Sequence, residues 1–118
     1  MSMTTQRVRE LVAKLADAQE GAHHGHPDFR VNTKIFATLS ENGDRAALRL
    51  TAVEARALAE RDPDAFGLVS DREPIGWVSV LLTRADEVEF GDLLEEAWSL
   101  RASEKPARPR GSGRGKRR

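Results

Sequence analysis

The 118-residue chain carries 19 basic and 19 acidic residues and no cysteine, a size that suits one modest hydrophobic core. Without cysteine, disulfides, thiolate nucleophiles and cysteine metal sites are excluded. The balanced charge conceals an asymmetry: residues 102–118 hold seven Lys/Arg against Glu104 alone, a net +6, whereas residues 1–101 hold 12 basic and 18 acidic residues, a net −6.

Residues 4–17 predict an amphipathic helix, with Val8, Leu11, Val12 and Leu15 on one face and Thr4 or Thr5 as its cap. The residues before it form no apolar leader run. The longest apolar stretch, residues 77–82 interrupted by Ser79, falls far short of the roughly 20 residues a bilayer span needs. A cytoplasmic protein without membrane contact is therefore expected.

Gly21 ends the helical register, and a polar, His-rich stretch follows to Pro27. Over residues 28–50 the period becomes two. Ile35, Ala37 and Leu39 alternate with Lys34, Phe36 and Thr38, and Ala46, Leu48 and Leu50 alternate with Arg45, Ala47 and Arg49. Between them, Asn42-Gly43 supplies the positive φ of a tight hairpin. Thr51 and Glu54 have capping-box spacing and open a second helix to about Arg61, with Val53, Ala57 and Leu58 inward. Asp62-Pro63-Asp64 stops it. Residues 66–70 and 75–83 read as two further strands. Asp86 and Glu89 then repeat the capping spacing ahead of a third helix, with Val88, Leu93, Leu94, Ala97 and Trp98 on its apolar side.

Short strand connections predict an α+β fold, a largely antiparallel sheet with helices on one face. After Arg101 the composition turns to Pro, Gly, Ser, Lys and Arg, so a domain over residues 1–101 and a disordered basic tail over 102–118 are expected.

The run His24-Gly25-His26-Pro27-Asp28-Phe29-Arg30-Val31-Asn32-Thr33-Lys34-Ile35-Phe36-Ala37 resembles the signature stretch of the YjbR/MmcQ family. Gly76-Trp77-Val78 and the terminal Leu93-Leu94…Ala97-Trp98-Ser99-Leu100 pattern add to the resemblance, which spans about residues 5–101. It implies a frataxin (CyaY)-like α+β fold. It also implies DNA binding through a double-wing motif, in which sheet hairpins approach the nucleic acid. For His24 and His26 it implies hydrogen bonding at a strand entry, with Gly25 and Pro27 in the same motif. It supplies no established catalytic residue.

The expected wing tips depart from that picture. Glu41 and Asp44 flank one turn, and Asp71 and Glu73 flank the other. Phosphate repels such tips. Strand alternation offers a different surface, since Lys34, Phe36, Thr38, Arg45 and Arg49 should share the face turned away from the helices. Arg30 and Trp77 join them. Arginines interleaved with aromatics suit phosphate contact and base stacking; the plainer alternative is a solvated face covered by long cationic stems.

The tail, including Arg114, Lys116, Arg117 and Arg118, suits non-specific nucleic-acid binding or a solubilising role. Three imidazoles at His23, His24 and His26 could take a transition metal, but working sites usually draw ligands from separate elements, and no metal is expected. No nucleophile elbow or acid/base pair stands out, so a non-enzymatic binding protein without a cofactor is the expectation. Its partner would be DNA or, alternatively, a small anionic ligand or a protein on the same sheet face.

Overall fold

Two-residue turns with positive φ lay down the first half of the sheet. His24 (φ 52°) and Gly25 (φ 81°) join β1 (Gln19–His23) to β2 (His26–Val31). Asn32 (φ 56°) and Thr33 (φ 64°) join β2 to β3 (Lys34–Leu39). Positive φ at both central residues gives a turn whose twist matches that of antiparallel strands. Gly43 (φ 78°) then closes the hairpin to β4 (Arg45–Thr51), where the Ser40 hydroxyl donates to Asn42 Oδ1 or Asp44 Oδ1, 3.0 and 3.1 Å away.

The computed structural model describes residues 3–104, the His23 side chain excepted. The remaining elements are α1 (Thr5–Ala13), α2 (Ala52–Arg61), β5 (Phe66–Arg72), β6 (Ile75–Leu81), a 3-10 turn (Leu82–Arg84) and α3 (Glu87–Ala102). Among the described residues the strands form one antiparallel sheet in the order β1-β2-β3-β4-β6-β5. The helices cover one of its faces, and the other is open. This is the expected α+β architecture.

Caps set the helix starts as their side chains dictate. Thr4, Thr51 and Asp86 accept from the backbone N–H groups of Arg7, Glu54 and Glu89. Between helices and sheet, Phe29, Ala37, Leu39, Ala46, Leu48, Leu50, Val78 and Val80 meet Val8, Val12, Leu58, Phe90, Leu93, Leu94 and Ala97 in one core. Trp98 closes its edge, donating from Nε1 to Ala16 O at 2.9 Å.

Several expectations change phase. The first helix stops at Ala13, and the N–H groups of Lys14 and Leu15 turn back to Leu11 O and Val12 O. The His-rich stretch contains β1, an edge strand without the apolar alternation that would announce it. In α2, Ala52, Ala55 and Leu58 face inward while Val53 is 68% exposed, because Gly76 of β6 lets the helix approach along its alanine side. Val88 is likewise exposed, and Phe90 takes the inward place in α3.

Phe36 is the main correction. β2 and β3 pair as Phe29 with Ala37 and as Arg30 with Ile35, which leaves Phe36 as an extra residue, a β-bulge. The bulge inverts the parity of the strand before it. Phe36 is therefore fully buried in the core, Ile35 passes to the open face, and Lys34 turns to the helical side.

On the helical layer, Glu54 of α2 and Glu96 of α3 share a hydrogen bond. Burial, then that bond and the neighbouring charge, pushes the Glu54 carboxyl up to about 7. A carboxyl whose folded pKa is raised binds more protons folded than unfolded, so its contribution is complete below the ordinary carboxylate range. It is lost as pH rises through about 7. Glu54→Gln should therefore stabilise the protein at pH 8 by about 1 kcal/mol after solvent screening, and have little effect at pH 4. Thermal melts of both chains at the two pH values check this.

Candidate functional site on the open sheet face

Register aligns a row of small residues across the open face. Gly21 lies opposite Asp28, Asp28 opposite Thr38, Thr38 opposite Ala47, Ala47 opposite Ser79, and Ser79 opposite Gly67. Larger residues stand on both sides of this row. Arg30, Ile35, Arg49 and Trp77 form one bank, and His26, Ser40, Arg45 and Leu81 the other. Over the row and beside the second bank lies a groove of about 500 Å³, lined by Asp28, Thr38, Ala47, Ser79, His26 and Arg45 among others. That volume is typical of a small-ligand site.

Asp28 is the buried charge of the groove. Its Oδ1 accepts from Arg30 Nε at 2.9 Å and its Oδ2 from Arg30 Nη2 at 3.1 Å, a bidentate pair between residues two apart on one strand face. The Asp28 hydrogen bond, then its charge, raises the Arg30 pKa. Gly21 makes room for the pair, since a Cβ there would stand 2.9 Å from Asp28 Oδ1.

The structure disperses the expected site residues. Arg30, Arg45 and Trp77 do share the open face, with Arg45 exposed and Trp77 half-buried. Arg49 lies opposite Trp77 by register but is only 8% exposed, and its guanidinium turns to Glu104. Lys34 and Phe36 are not on this face, for the bulge described above. His24 and Gly25 form the β1–β2 turn, and His24, His26 and Pro27 line the groove. Arg114, Lys116, Arg117 and Arg118 lie outside the described residues.

Asp28, Ser79 and Arg72 were missed by the strand alternation alone. Arg72 lies opposite Ile75 on the open face. Its only sequence signal is the extension of β5 past Ser70, which the polar Asp71-Arg72 pair hides. Among the described residues no group of three or more His, Asp or Glu is placed to hold a metal ion.

The acidic hairpin tips are engaged locally. Asp71 and Glu73 pair with Arg56 of α2, and Asp44 sits in hydrogen-bonding range of the Ser40 hydroxyl. No helix among the described residues is long and apolar enough to cross a membrane.

The model of the YjbR family matches residues 13–100. The chain is also similar to the crystal structure of Deinococcus radiodurans protein DR2400, which carries the domain DUF419. That likeness has a TM-score of 0.77 at 18% identity, and covers 87% of this chain and 81% of the other. No curated protein sequence matches significantly.

Proposed function

The chain belongs to the YjbR family, and from that premise we propose that it is a non-enzymatic binding protein whose open sheet face docks DNA. The basic C-terminal residues add non-specific affinity.

The distribution of charge carries this reading. Three arginines on described strands, Arg30, Arg45 and Arg72, present their side chains on the open face beside one strand carboxylate, Asp28, while Arg49 shares that face by register but turns its guanidinium to Glu104. The helical layer holds the opposite charge, with Glu87, Glu89, Asp92, Glu95 and Glu96 on α3 alone. A net −6 over residues 1–101 is therefore an average over two unlike faces. The acidic face turns phosphate away, and the open face can receive it. Trp77 adds an aromatic surface beside the groove for stacking.

Full-length protein should bind duplex or single-stranded DNA at low salt, with log affinity falling linearly against log salt. A chain ending at Glu104 should keep part of that affinity. Failure of the full chain to bind either DNA at low salt would contradict the proposal.

One observation favours a second reading, a small anionic ligand in place of a polymer. The groove is concave and has hydroxyls at Thr38, Ser40 and Ser79 with Arg45 on its rim, the few polar groups a ligand site uses for orientation. Asp28, already engaged by Arg30, suits positioning better than proton transfer.

A further inference from the structure

At the far end of β3 from the groove, three cations from three elements surround one carboxylate. Glu104 Oε1 accepts from Arg101 Nη1 of α3 at 3.0 Å and from Lys34 Nζ of β3 at 3.4 Å. Glu104 Oε2 lies 3.2 Å from Arg49 Nη1 of β4. The described β3–β4 pairing covers Ala37–Leu39 with Ala46–Leu48, and the last turn of α3 reaches β3 beyond it. There Arg101 Nε donates to Ile35 O at 3.0 Å, which fixes the guanidinium in position.

The arrangement is out of balance in charge and in hydrogen bonding. Three positive groups face a single negative one. The Arg49 side chain is 10% exposed, and its Nη1 is buried at ion-pair distance from Glu104 Oε2 without a well-aligned hydrogen bond. Desolvation and then the charge of Arg101 lower the Arg49 pKa. Burial would raise the pKa of Glu104, but its bond to Arg101 and the surrounding charges outweigh this and hold it below the ordinary range. Capping the end of α3 accounts for one cation there. It does not account for three converging on one side chain.

We propose that Lys34, Arg49 and Arg101 form an oxyanion-binding site for a phosphate group, which the chain's own Glu104 fills in this structure. A phosphate offers more acceptor oxygens than a carboxylate and, as a monoester or free ion, a second negative charge. It can therefore satisfy the buried Arg49 donor as well as the other two cations.

Glu104 is well placed to give way. It follows the helix cap Ser103, and its backbone N–H donates to Arg101 O at 3.1 Å in the last turn before the basic C-terminal residues. It is also the sole acidic residue of 102–118 and directly precedes the seven basic ones. This site goes beyond the open-face reading and stands without it.

Calorimetric titration with inorganic phosphate tests the site on the full chain, on Glu104→Gln and on Glu104→Gln/Lys34→Met. Removing the internal carboxylate should tighten phosphate binding at least about tenfold, and adding Lys34→Met should abolish most of the gain. Lys34 is half-buried at the surface, so the double variant should fold, which its melting curve verifies. A DNA dinucleotide titrated in parallel separates the two sources of the anion. Preference for phosphate indicates a free or terminal phosphate, preference for the dinucleotide a phosphodiester, and either supports the site. Unchanged affinity for both in Glu104→Gln, or a gain that persists without Lys34, overturns it.

Discussion

Replacing Phe36 with alanine is expected to cost about 3–5 kcal/mol, the range for truncating a buried aromatic. At roughly 4 °C per kcal/mol for a domain of this size, the melting temperature should fall by about 12–20 °C. The ring is fully buried against the helical layer, so its removal loses transfer energy and leaves a cavity that neighbours cannot fill completely. Trp77→Ala, on the open face, should cost much less stability and act on binding. Chemical denaturation of the two variants checks the contrast. A loss under about 1 kcal/mol for Phe36→Ala would place the ring on the open face, where plain alternation puts it, and would contradict the bulge.

Gly76→Ala should destabilise by about 2–3 kcal/mol, through overpacking. A Cβ at this position would lie 2.8 Å from Ala52 Cα and 2.8 Å from Ala55 Cβ, with Thr51 O at 3.2 Å. Ala52 Cα is backbone at the start of α2, so relief requires the helix to move off the sheet. Gly67→Ala supplies the comparison, because its Cβ would meet Ser79 Oγ at 3.0 Å, the end of a side chain that can rotate away. Equal melting temperatures for the two variants would contradict the close approach of α2 to β6.

The features legible in the sequence were those with a local cause. The Thr51 and Asp86 caps, the Gly43 turn and the alternation of Ala46, Leu48 and Leu50 depend on residues within a few positions of one another, and all are present. The first features to escape it were those set by tertiary packing. β1 is polar and becomes a strand because β2 offers it an edge. The inward side of α2 is chosen by Gly76, more than a dozen residues further on, and the bulge at Phe36 by its pairing with β2. One extra residue there reversed the predicted sides of Lys34, Ile35 and Phe36. It also removed half of the expected aromatic face.

The candidate site was legible in part for the same reason. Arg45, Arg49 and Trp77 follow from parity in strands that carry no bulge before them. The Asp28–Arg30 pair depends on β2 beginning at His26, and the groove on the register of strands distant in sequence. The Glu104 cluster could not be read at all, since it joins residues 34, 49, 101 and 104 and lies across the expected boundary at Arg101.

Salt dependence of DNA binding tests the open-face proposal most directly when the full chain is compared with Arg45→Ser/Arg72→Ser. Both arginines are exposed on that face, while Arg30 is left in place because its loss would strand the buried Asp28 carboxylate. Each arginine taken away from a phosphate should flatten the slope of log affinity against log salt by about one, so the double variant should show a slope shallower by about two. An unchanged slope and affinity would assign all binding to the basic C-terminal residues and contradict a role for the sheet.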